Sequence, residues 1–138
     1  MAYEAIDIGN AAVDDSSSAG NDYTYLDYYN AANASGILNS VSIYINDAPE
    51  GSYSIGTFNN ISANVWSSRD YESFTSSGTG LKTFTGRNID VGTGDALGFY
   101  LATGGALEAK YNSGGGIGLA CRKAGNQFGN SNVTFGAE

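Results

Sequence analysis

The sequence predicts an all-β protein: a single antiparallel β-sandwich, jelly-roll-like, spanning residues 1–138 as one domain. Three observations predict it. Gly, Ser and Asn together supply 50 of the 138 residues and only 14% are charged, a composition of turns and polar strand faces rather than helices. Several segments alternate apolar and polar residues with period two, and almost nothing carries a helical period. Turn signals recur every 8–12 residues or so, which divides the chain into about nine or ten short strands.

The elements follow in order. Residues 5–13 mix apolar and polar positions and end in the loop-like Asp14-Asp15-Ser16-Ser17-Ser18. Tyr23 to Tyr29 (Tyr-Thr-Tyr-Leu-Asp-Tyr-Tyr) is dense in aromatic and β-branched residues, hence a strand. After the connection Asn30–Gly36, Val41, Ile43 and Ile45 share one face and Ser40, Ser42, Tyr44 and Asn46 the other, the mark of a half-buried strand. Asp47 to Gly51 holds the only proline and reads as a tight turn. Tyr53–Phe58 is the next strand, closed by Asn59-Asn60, and Val65-Trp66 and Arg69–Phe74 form one or two short strands. Leu81–Thr85 and Asn88–Val91 read as two pieces broken at Gly86-Arg87. In Ala96–Leu101, Leu97, Phe99 and Leu101 point inward with Gly98 and Tyr100 outward. Gly104-Gly105 makes a hairpin turn, Gly114–Gly116 breaks the returning strand, and Ile117, Leu119 and Cys121 share a face before a last short strand at Val133–Phe135.

Charge and composition narrow the function. Fourteen acids against six bases leave a net charge of −8, so neither a nucleic-acid backbone nor an anionic membrane is an expected partner. With no histidine, Ser-His-Asp triads, Cys-His pairs and His-bound zinc are excluded. A single cysteine excludes an intramolecular disulfide. The first residues lack a basic start and an apolar core, and no apolar run reaches the roughly 18 residues that span a bilayer. The expectation is a protein made in the cytoplasm with no signal peptide.

Catalysis would have to rest on paired carboxylates, as in a glycan-cleaving enzyme. The candidates are Asp14, Asp15, Asp22, Asp27, Asp47, Glu50, Asp70, Glu72, Asp90, Asp95 and Glu108, most of them in turns where Asp bonds its own backbone. No enzyme, metal or cofactor is expected. The loop Asp14–Asp22 offers oxygen ligands for calcium but not at EF-hand spacing. Asn33, Asn60 and Asn132 match the glycosylation acceptor triplet, which an Asn- and Ser-rich chain produces by chance. The aromatic residues say more. They make up 12% of the chain, and the period of their strands leaves Tyr25, Tyr28, Tyr29, Tyr44 and Tyr100 as contact candidates, with Trp66 either a core plug or a platform. Such rings suit a subunit interface or the stacking of sugars, against the plainer role of cross-strand pairing on a solvated face. Cys121 alternates with apolar residues and reads as a small buried hydrophobe.

Three stretches carry a resemblance: Ile8–Asp14 with Ser16–Ser18, Asn30–Gly36 running into Ser40–Ile45, and Ile89–Tyr100. Together they resemble a β-sandwich module of tailed-bacteriophage virions, seen as head-decoration, minor structural or tail-associated proteins. The resemblance covers about Ile6 to Phe135. It implies a non-enzymatic virion protein, most naturally a capsid decoration or minor head or tail component, with no catalytic residues to carry over. Its partners would be its own subunits, with a trimer favoured, and other virion proteins such as the major capsid protein. The alternative is a carbohydrate-binding module, free or tail-attached, that reads glycans through its aromatic rings.

Overall fold

Eleven strands and no helix make up the described part of the chain. The computed structural model describes residues 8, 17–19, 23–27, 31–47, 50–77, 80–101, 108–111 and 120–137. The strands are β1 (Ser17–Ala19), β2 (Tyr23–Asp27), β3 (Gly36–Asp47), β4 (Glu50–Ser62), β5 (Val65–Ser77), β6 (Gly80–Val91), β7 (Ala96–Leu101), β8 (Glu108–Tyr111), β9 (Ala120–Ala124), β10 (Val133–Thr134) and β11 (Gly136–Ala137). One sheet has the order β1-β8-β3-β6 and the other β10-β5-β4-β7-β2-β9-β11.

Every pairing is antiparallel, and the first eight strands pair as nested hairpins: β1 with β8, β2 with β7, β3 with β6 and β4 with β5. This is the path of one long hairpin wound over itself, the jelly-roll topology of two packed sheets. The core between the sheets is the one the alternation foretells. Val41, Ile43, Ile89 and Val91 of the smaller sheet meet Tyr53, Ile55, Phe74 and Leu101 of the larger, with Leu97 and Phe99 packed beside them.

The strands differ from expectation in length. β3 to β6 run 12 or 13 residues each. Asn59-Asn60 does not close β4, because the β4–β5 ladder continues through Asn60↔Trp66 to Ser62↔Val65 and supplies hydrogen bonds whatever the local propensity. Gly86 does not break β6 either. Its positive φ of 68° lets the strand absorb an irregularity where the ladder skips from Leu38↔Ile89 to Ser40↔Thr85.

The larger sheet also has a second buried face. β10 pairs with β5 at one margin and β11 with β9 at the other, yet only Phe135 separates β10 from β11. The C-terminal strand therefore bridges the two margins and curls the sheet into a barrel-like ring. Inside it lie Leu26, Phe58, Trp66, Ala96, Cys121, Phe128 and Phe135, with Tyr100 and Val133 against them. Thr24, wholly buried, ties the approach to this bridge: its hydroxyl donates to the Gly125 carbonyl and accepts from the Gln127 amide, at 2.8 and 2.9 Å. Gly98, expected to face outward, lies under this second core instead. A Cβ there would sit 2.7 Å from a Leu26 methyl carbon and 3.1 Å from the Phe58 ring, so only glycine fits without repacking.

Candidate functional site

Three of the described acids, Asp70, Glu72 and Asp95, are occupied by the scaffold. In the β4–β5 ladder Thr57 faces Asp70 and Phe58 faces Ser68, so Arg69 is the extra residue of a bulge. Its guanidinium grips Asp95 with two hydrogen bonds, Nε to Oδ2 at 2.5 Å and Nη2 to Oδ1 at 3.0 Å. The Asp95 side chain is fully buried and also accepts the Gly92 amide at 2.8 Å. The turn between β6 and β7 is thereby fixed, and Ala32 clasps it from outside through Ala32 N–H to Asp95 C=O and Gly94 N–H to Ala32 C=O, both 2.8 Å. The hydrogen bond to Asp95 raises the Arg69 pKa above arginine's already high value, against a smaller opposing effect of burial.

One strand pair along, Asp70 and Glu72 reach from β5 across the sandwich to the outer edge of β6. Asp70 Oδ2 accepts the Asp90 amide at 2.8 Å, and Glu72 Oε2 accepts the Asn88 amide at 2.9 Å. The Thr57 hydroxyl donates to the Asp90 carbonyl at 2.7 Å. Arg87 bonds Glu72 at 3.3 Å and lies over the Phe74 ring, 4.6 Å from its centroid. These groups bind amides that β6, as a terminal strand, would otherwise expose. Among the described residues no three His, Cys, Asp or Glu side chains gather as a metal site.

The aromatic candidates separate. Tyr25 is 3% exposed and stacks on Phe99 with centroids 5.3 Å apart, and Trp66 is 7% exposed in the second core. Neither presents an open ring, because both faces of the larger sheet are covered and period two no longer separates core from solvent. Tyr100, expected on a polar face, is half-buried and packs against the second core for the same reason. The Tyr44 backbone pairs with Leu81, but its side chain lies outside the described residues, as do Tyr28, Tyr29, Asp14, Asp15 and Asp22. Among the described residues the exposed large hydrophobics are instead Ile37, Ile61, Tyr71 and Leu81. Tyr71 sits between two acids, so no sequence signal set it apart. Its ring lies 5.1 Å from that of Phe128.

Cys121 is buried, and burial pushes its thiol up to about 12 from an ordinary 9.0. Between those values the unfolded chain loses a proton that the folded chain keeps. Stability from this group therefore falls as pH rises from about 9 towards about 12. At pH 8 the native thiol holds roughly a thousandfold less thiolate than the unfolded one. Iodoacetamide should label Cys121 at least ~100-fold more slowly in buffer than in denaturant, and comparable rates would show that the second core is open to solvent.

Among the described residues one broad face carries none of these groups. On the outer face of the smaller sheet, Ser40 lies opposite Thr85 and Ser42 opposite Thr83, all four exposed. The Ser42 and Thr83 hydroxyls are 3.0 Å apart. Leu81, 56% exposed, closes one end and Ile37 the other. The class defined by this fold is a jelly-roll sandwich with a hydroxyl-lined face and a carboxylate-braced seam. No family model, curated protein or solved structure matches the chain.

Proposed function

We propose that the chain is a non-enzymatic virion structural protein, a capsid decoration or minor head or tail protein that works as a repeated assembly subunit. The observation that carries this reading is where the reactive-looking side chains are used. The oxygens of Asp70, Glu72 and Asp95 hold strand amides and an arginine, and Tyr25 and Trp66 fill cores. The described surface includes a sheet face of short hydroxyls, low in charge, which suits contact with a neighbour better than chemistry. Jelly rolls serve both capsids and lectins, so the fold alone does not choose between them.

A second reading, a carbohydrate-binding module, draws on one feature: the 42% exposed Tyr71 ring beside the amide-rich stretch Asn126–Asn132. Light scattering on a sizing column, paired with a glycan array, tests both. The assembly reading expects a whole multiple of the 14.3 kDa chain mass and an empty array. A monomer that binds a defined glycan, and loses it on Tyr71→Ala, overturns it in favour of the lectin reading.

A further inference from the structure

Sheet edges left unpaired invite another strand, and proteins blunt them with short terminal strands, charges or covering loops. Three of the four terminal strands here, β1, β10 and β11, are only two or three residues long. β6 is twelve, and it ends the smaller sheet. Its two halves are treated differently. Near Asn88 and Asp90 the outer amides are capped by Glu72 and Asp70. No described group caps the outer amides of Leu81, Thr83 and Thr85.

The direction of those amides follows from the ladder. Residues in an antiparallel pair alternate between a hydrogen-bonded pair and a narrow one whose N–H and C=O point away. The 3.0 Å contact between the Ser42 and Thr83 hydroxyls marks a narrow pair, so the backbone groups of Thr83, and by alternation those of Leu81 and Thr85, face the open edge. Asn88 and Asp90 show the same relation, with exposed side chains and outward amides.

We infer that this open stretch is a self-association edge, at which β6 of one copy pairs antiparallel with β6 of a second copy about a two-fold axis at Thr83. The inference rests on the assembly reading and gives it a surface. Two features favour a second copy as the occupant. An antiparallel edge is self-complementary: Thr83 meets Thr83 and Leu81 meets Thr85, giving about six inter-chain hydrogen bonds and one continuous eight-stranded sheet. Charge selects the register as well. The chain carries −8, yet Gly80 to Gly86 contains no acid and one base, Lys82. Sliding the copies towards Asp90 would set the Asp70, Glu72 and Asp90 carboxylates of the two chains against each other, which disfavours that register. Isologous pairing of this kind closes at two copies.

The test is absolute mass by light scattering over a wide range of loading concentrations, for the wild-type chain and three variants. Thr83→Pro removes an outward amide that the intrachain ladder does not use, a change edge strands accept. Thr83→Lys keeps the amide but sets two charges together at the axis, so it decides the matter if the proline variant fails to fold. Thr75→Pro makes the matched change on β5, at the same end of the molecule. The expected result is twice the chain mass for the wild type and Thr75→Pro, and the single-chain mass for both Thr83 variants, with unchanged far-ultraviolet circular dichroism. An oligomer that survives both Thr83 changes, a trimer, or dissociation by Thr75→Pro overturns β6 pairing and leaves the assembly reading standing. A wild-type monomer at every concentration overturns the pairing and withdraws this support from the assembly reading as well.

Discussion

Arg69→Met is expected to destabilise the fold by about 3 kcal/mol, lowering the thermal midpoint by roughly 10 °C. The cost comes from what the change leaves behind. Asp95 has no exposed side-chain surface and keeps only the Gly92 amide once the guanidinium is gone, so a buried carboxylate loses its counter-charge and two of its three hydrogen bonds. The Arg69 side chain is 36% exposed, which places the effect at the lower end of the range for breaking a buried pair. Asp95→Asn should cost less, about 1–2 kcal/mol, because the orphaned guanidinium can turn to water. The double variant should then be more stable than the sum of the two losses, since the second change removes the group stranded by the first. Thermal melts of the four proteins give the coupling directly, and additive losses would mean that the pair does not act as a unit. Arginine titration does not complicate the measurement. The Arg69 pKa is raised on folding, so its contribution is complete below arginine's ordinary range and is lost only at still higher pH.

The inter-sheet core was legible because period two works wherever one face of a strand is wet and the other dry. Val41 with Ile43, and Leu97 with Phe99 and Leu101, took the faces their alternation assigns. The same rule set Tyr100 and Gly98 on an open face, and the reason is common to both. The C-terminal strand closes the larger sheet around a second core, so its outer face is dry too, and no local pattern in Tyr23–Asp27 or Ala96–Leu101 announces a cover contributed by Phe128 and Phe135. Strand ends failed for a related cause: Asn59-Asn60 and Gly86 are turn residues by composition, but Ser67 and Trp66 hold the two asparagines in the ladder, and Gly86 sits in an irregularity with paired residues on either side. The open edge of β6 was not legible at all. That the outer amides of Leu81, Thr83 and Thr85 have no partner among the described residues while those of Asn88 and Asp90 are capped depends on which strand ends the sheet and on what β5 reaches across, both properties of the topology.

Phe58→Ala is expected to be the more damaging core change, costing about 4 kcal/mol and roughly 12 °C in thermal midpoint. Phe58 is wholly buried in the second core. Its ring lies 5.0 Å from Phe128 and meets Phe135 nearly at right angles at 5.6 Å, an edge-to-face arrangement worth more than its buried area alone. Beneath it Gly98 has no side chain to move into the gap, so the cavity persists and adds to the transfer cost. Phe128 and Phe135 both belong to the C-terminal bridge, so the loss should reach beyond packing. The Gln127 amide on Thr24 and the Phe135 amide on the Asn64 carbonyl should exchange hydrogen faster in the variant, while Ile43 and Ile89 in the inter-sheet core stay protected. Tyr71→Ala, at the rim of the same aromatic cluster but 42% exposed, should cost only about 1 kcal/mol and leave that exchange unchanged. A Phe58→Ala loss as small as that of Tyr71→Ala would mean that the bridge contributes little in solution. The back of the larger sheet would then be an available surface, and the edge at Thr83 would no longer be the sole surface proposed for self-association.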